Sequence, residues 1–176
     1  AALEVYSALH TPSREEIRLL GDLYSMTNVP LKAAGQYEKL VAINGKSADF
    51  QRAASAYALA RKPDKAVQVL EKGLAKYPSH KMWAMLGNIH YSEKNYTHAR
   101  NAFEQSIAKD PENDMSYMMI GYCALRTEDL EGAEKAFTEA LRFPGQQEEA
   151  TRLLGEIKKR RAFYRNEESR QTASSL

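Results

Sequence analysis

A pattern of small and large residues that returns every 33 or 34 positions limits this chain more than any other feature of its sequence. Gly87 is followed 34 residues later by Gly121 and again by Gly155, while Ala99 returns as Ala133 and Phe103 as Phe137. Stepping backwards the period is 33: Ala66, Leu70 and Gly73 take the places of Ala99, Phe103 and Ser106, with Ala54 and Tyr57 before them. One step earlier stand Ala33, Tyr37 and Leu40, with Gly21 and Tyr24. A chance motif has no reason to return. A stack of like supersecondary units must repeat, because each unit leaves an apolar face that only a neighbour can cover. Four units result, at 14–46, 47–79, 80–113 and 114–147.

The clearest copy is 80–113. Trp83, Leu86, Gly87 and His90 are spaced as one face of a helix, Tyr96, Ala99, Phe103 and Ser106 as the face of a second, and Pro111 ends the unit. Two antiparallel helices approach closely only where side chains are small, so Gly87, Ala99 and Ser106 mark contacts, while Trp83, Leu86, Tyr96 and Phe103 fill the layers between them. The spacing W-x2-L-G, then small, aromatic, small, then D-P, resembles the tetratricopeptide repeat. The resemblance implies an all-α fold, a right-handed α-solenoid of helix-turn-helix repeats, and a non-enzymatic module that binds other proteins.

Punctuation agrees with the period. Ser13-Arg14-Glu15-Glu16 fits a capping box, opening a helix whose apolar face is Ile17, Leu20 and Tyr24. Pro30 and Pro63 sit 33 apart at the start of second helices, where proline loses no hydrogen bond. Gly45, Pro78, Pro111 and Pro144 fall at the unit ends. Residues 1–12 read as the second helix of a truncated preceding repeat, with Ala1, Val5, Ala8 and Leu9 on one face. Residues 148–164 repeat only a first helix, with Leu154, Gly155 and Ile157 facing back, and read as a C-terminal capping helix. Residues 165–176 have no apolar period and are expected to be a disordered tail.

Composition excludes several classes of function. Basic and acidic residues number 25 and 23, a net charge of +2, so nothing demands a polyanionic partner and no nucleic acid is expected. No apolar run is long enough to span a bilayer. The lone Cys123 excludes an internal disulfide. His10, His80, His90 and His98 are scattered without an i, i+4 pair, and the acids Asp110, Glu112 and Asp114 lack the glycine and bidentate carboxylate of a calcium loop, so no metal and no cofactor is expected. Lys158 to Arg161 form a basic run that a helix C-terminus favours in any case. No nucleophile-base pair or phosphate-binding glycine loop is present, so no catalytic residue is assigned.

In the tetratricopeptide family the binding groove is lined by first helices, at positions that point away from the hairpin partner. Carried onto this chain, those positions are Glu15, Arg18, Asp22, Gln51, Arg52 and Ser55 in the first two units, then Met85, Asn88, Tyr91, Met115, Met118, Met119, Tyr122 and Arg126. The groove turns from polar to rich in methionine and tyrosine, which suits the apolar side chains of a partner's peptide or helix. Its alternative occupants are the capping helix or a second copy of the chain. A branch of the family that clamps a chaperone's C-terminal carboxylate needs Lys and Asn where this chain has Arg18 and Asp22, and an aspartate repels that carboxylate. A fainter resemblance, carried by LLGDLYSMTNVPLKAAGQYEKL and FPGQQEEATRLLGEI, links the chain to bacterial periplasmic repeat proteins of TonB-type systems. It implies a periplasmic location, with the cytoplasm as the alternative. Two functions remain open: an adaptor that holds a peptide or helix, or a structural protein that self-associates through its N-terminal helix or methionine-rich face.

Overall fold

The computed structural model describes residues 11–174, with side chains described through Glu167 and at Arg170. Residues 1–10 of the partial repeat expected at 1–12, and the last residues, 175–176, lie outside it. Within the described residues the chain is a succession of α-helices without a strand: α1 (Arg14–Met26), α2 (Pro30–Ala42), α3 (Ser47–Leu59), α4 (Pro63–Lys76), α5 (His80–Ser92), α6 (Tyr96–Lys109), α7 (Asp114–Arg126), α8 (Leu130–Ala140) and α9 (Gln147–Ser174), with a 3-10 turn at Pro144–Gln146 before the last. It divides into two compact units, residues 1–94 and 95–176.

The helix ends follow from local chemistry. The Ser13 hydroxyl accepts from the Glu16 amide at 3.3 Å and the Glu16 carboxylate from the Ser13 amide at 2.8 Å, the reciprocal box read from the sequence. Pro30 and Pro63 are the first residues of α2 and α4. Each hairpin turn then uses one left-handed residue: Asn28, Arg61, Lys94 and Glu128 have φ of 57°, 57°, 61° and 60°. Around Asn28 the Val29 amide reaches back to the Tyr24 carbonyl at 2.8 Å and the Asn28 amide to Ser25 at 3.2 Å. Lys62 to Tyr57 and Asp129 to Ala124, both 2.9 Å, repeat the pattern. This is the Schellman closure, which satisfies the last carbonyls of a helix while reversing the chain. No described glycine has a positive φ.

Glycines serve helix contact instead. A Cβ on Gly21 would stand 2.7 Å from Cε1 of Tyr37, and one on Gly121 would enter the Phe137 ring. A Cβ on Gly73 would lie 2.9 Å from both Phe50 Cβ and Met82 Sδ. Gly155 departs from the sequence expectation. It is exposed, with nothing within 4 Å of the place a Cβ would take, and α9 packs instead through Ala150, Leu153 and Ile157, with Leu154 half-buried. A second correction concerns 165–174, which continue α9 as helix instead of forming an irregular tail. After Gly155 this segment holds no proline or glycine and is rich in Lys, Arg, Ala, Glu and Gln, residues that favour helix without any apolar period.

Each unit is tied by an arginine and an aspartate that also caps a helix. In the first, Arg14 Nη2 meets Asp49 Oδ2 at 2.5 Å and Arg14 Nη1 donates to the Leu40 carbonyl at 3.0 Å, while Asp49, buried, accepts from the Lys46 amide at 2.8 Å. In the second, Arg100 Nη1 meets Asp129 Oδ2 at 2.6 Å, and the other Asp129 oxygen accepts from the Gly132 amide at 2.8 Å. A side chain at Gly132 would collide with that carboxylate. The core beside this pair gathers Met118, Ala124, Ala133, Phe137, Ala140, Ala150, Leu153 and Ile157.

Gly121→Ala is expected to lower stability by about 1–3 kcal/mol through overpacking, despite alanine's better helix propensity. Gly155→Ala, which meets open space, is expected to raise it by up to about 1 kcal/mol. Urea denaturation of both variants checks the pair, and a gain in both would remove the packing role of Gly121. A pH test addresses Asp129, whose carboxyl is held below its ordinary 3.8 first by the Gly132 amide and then by Arg100. A depressed folded pKa contributes stability that is complete above the unfolded value and lost as pH falls through the folded one. Asp129→Asn keeps a capping oxygen without the charge. The stability gap between wild type and this variant is therefore expected at pH 7 and should close on acidification below 3.8. A gap that stays constant to pH 2 would show that the charge contributes nothing.

Candidate functional site

First helices carry the outward positions because their opposite face is committed to the hairpin partner. In the first unit those positions lie on α1, α3 and α5, polar on α1 and α3 and mixed on α5. Glu15, Arg18, Ser55 and Asn88 are exposed, and Asp22, Gln51, Arg52, Met85 and Tyr91 are half-buried. Asp22 Oδ1 accepts the Tyr37 hydroxyl at 2.7 Å and lies 4.0 Å from Arg52 Nε, so two of the sequence-assigned residues meet and one of them is also held by a residue that the sequence placed in the core. Burial raises the Tyr37 pKa, with the Asp22 bond acting in the same direction, so the phenol stays a donor and Asp22 stays occupied.

In the second unit the outward stripe lies on α7. Met115, Met119, Tyr122 and Arg126 follow one another at helical spacing along one face. Met115 is 54% exposed, Met119 and Tyr122 are half-buried, and Arg126 is exposed. Met118 does not belong with them. Only 1% exposed, it lies in the core with Leu153 and Ile157 of α9, because the terminal helix covers the position that Arg18 and Gln51 hold one turn of the repeat after another.

Helix α9 adds a polar wall that the sequence reading missed. The Tyr122 hydroxyl donates to Glu149 Oε1 at 3.1 Å, and Arg152 Nη2 holds the same oxygen at 2.6 Å. Glu149 is shifted to a lower pKa first by Arg152, with Tyr122 acting the same way, and therefore stays ionised beside Tyr122. The Tyr122 ring meets Phe137 edge-on at 5.6 Å between centroids, which fixes its angle. The only signal in the sequence was the pair Glu148-Glu149 in the first turn of the terminal helix, which capping alone explains.

Burial pushes the Cys123 thiol up to about 11, so it is protonated and enclosed at neutral pH. Asp110 and Asp114 act on helix ends, Asp110 accepting from the Glu112 amide at 3.2 Å and Asp114 from Met115 at 2.7 Å. Among the described residues no three His, Cys, Asp or Glu side chains are grouped to hold a metal ion, and no helix is long and apolar enough to cross a membrane.

Comparison with known proteins gives a consistent result. No curated protein sequence matches the chain. Among solved structures it is similar to MamA 41-end from Desulfovibrio magneticus RS-1, at 18% identity over 91% of this chain and 92% of that one, with a TM-score of 0.73. It is similar to YrrB, a TPR protein with an unusual peptide-binding site, at 15% identity over 92% of this chain and 84% of that one, TM-score 0.70. The first TPR of Spaghetti (RPAP3), bound to the HSP90 peptide SRMEEVD, matches 66% of this chain and 94% of its own at 20% identity, TM-score 0.61. Such identities establish the fold alone. The fainter resemblance to TonB-associated proteins finds no support among these relatives. A family model described as the tetratricopeptide repeat matches residues 50–100 and 85–148, more than half of the chain, and this all-α helical-repeat solenoid therefore belongs to the tetratricopeptide repeat family.

Proposed function

We propose that this chain is a non-enzymatic interaction scaffold whose α7 stripe holds a peptide or helical segment of another protein. The observation that carries this reading is the stripe itself. Met115, Met119 and Tyr122 present adaptable apolar surface, Arg126 closes one end, and the ionised Glu149 stands along one side. Methionine fits many shapes, so the surface favours apolar side chains, while Glu149 accepts from the occupant's amides or cations and repels its carboxylates. Peptide binding by RPAP3 and by YrrB supports the use of such a surface. The Tyr37–Asp22 bond argues against a carboxylate clamp in the first unit.

The test is selection of binders from a displayed peptide library on the whole chain, then titration of the selected peptide against Met115→Ser/Met119→Ser. Loss of two buried methionine contacts is expected to weaken binding by about tenfold or more, with unchanged helical circular dichroism. Selected peptides that bind the double variant as tightly would overturn the assignment of this face.

Self-association is supported by a different observation. Leu19, Leu23 and Met26, at i, i+4 and i+7 on α1, are 50%, 38% and 83% exposed. At the place of Leu23 in later units stand Ala56, Ile89 and Cys123, all buried. Light scattering over a wide concentration range is expected to show mass growth that Leu19→Ser/Leu23→Ser abolishes. A monomer at every concentration would discard this reading.

A further inference from the structure

Helix α9 carries the mark of a first helix whose hairpin partner is not among the described residues. Gly155 stands 34 residues after Gly121. In the hairpin of α1 and α2 the corresponding glycine, Gly21, lies under the Tyr37 ring, and in that of α7 and α8 Gly121 lies under Phe137. At Gly155 an added Cβ would meet nothing within 4 Å. Its neighbour Leu154 is half-buried, whereas Leu20 and Ile120, at the same place in α1 and α7, are buried at 8% and 6% exposure. Lys158 stands where Ala124 is fully enclosed. A groove of about 650 Å³ opens at this point between α9 and α8.

The groove has a charge as well as a shape. Leu154 and Gly155 line it with the cations Lys158, Arg161 and Arg165 and the carboxylate of Glu134, which pairs with Arg161 at 2.5 Å. We infer that it is a seat for an acidic amphipathic helix of a partner protein, with an aromatic side chain placed over Gly155. The repeat supplies the pattern such a helix needs, a small residue, an aromatic four positions on and another small residue three after that, as in Ala133, Phe137 and Ala140. A folded copy of the chain cannot supply it from the second helices among its described residues. Tyr37, Leu70, Phe103 and Phe137 and their flanking alanines are all buried within 3% exposure. Residues 1–12, read above as a second helix, hold a single acid, Glu4, and do not match the cations of the groove. Charge therefore selects an acidic helix of another protein, and the seat is distinct from the α7 stripe.

The probe is a fluorescein-labelled peptide of the sequence of residues 129–143, DLEGAEKAFTEALRF, which has that spacing and an excess of acids. Its anisotropy is followed on titration with the whole chain. Saturable binding is expected, weakened at least tenfold by Gly155→Leu in the protein and equally by a Phe137→Ala peptide, reduced by Lys158→Glu and by added salt. Gly155→Leu faces open space, so its circular dichroism is expected to match the wild type and its melting temperature to be no lower. Met115→Ser/Met119→Ser is expected to leave this binding unchanged, which separates it from recognition at α7. Absence of saturable binding, or binding that ignores both Gly155→Leu and Phe137→Ala, overturns the seat.

Discussion

A ring laid directly on a helix backbone is the contact on which the rest of this structure depends. Where Tyr37 covers Gly21 and Phe137 covers Gly121, two helices approach closer than any side chain would allow, and the ring spans the gap that a smaller residue would leave open. Each such contact sets the separation and rotation of its hairpin. The faces left over are thereby fixed: one meets the next helix in line and the other points out. Placement of Met115, Met119 and Tyr122 on the outward face is a consequence of Gly121 being committed to Phe137.

The turns could have placed glycine at the left-handed position and did not. Asn28, Arg61, Lys94 and Glu128 accept the cost of φ near 60°, with Schellman hydrogen bonds around Asn28, Arg61 and Glu128, while Gly21, Gly73 and Gly121 stand in helix interiors where propensity disfavours glycine. The distribution makes sense if close packing is worth more than local preference at those interior sites. The two arginine-aspartate pairs follow the same economy of position, since Asp49 and Asp129 each cap a helix and receive an arginine from an earlier one.

The proposed recognition surface thus lies on a different face from the packing. On α7 the hairpin face is apolar and enclosed, the edge toward α9 takes Met118 into the core, and the outward stripe keeps Met115 more than half exposed. A residue one position along the helix changes role completely. Met118 and Met119 are chemically identical neighbours, yet one is enclosed in the core and the other is half exposed.

The period of 33 or 34, the capping box at Ser13, the prolines opening α2 and α4 and the hairpin face of each helix were all legible in the sequence, because each depends on helical geometry within a few turns. The burial of Met118, the open space beside Gly155, the extension of α9 through Ser174 and the bond from Tyr122 to Glu149 were decided by the tertiary structure. A repeating sequence states which face each helix offers. Whether that face is covered depends on which element arrives next. Among the described residues no second helix arrives at α9, so the same glycine that is sealed in α7 stands open.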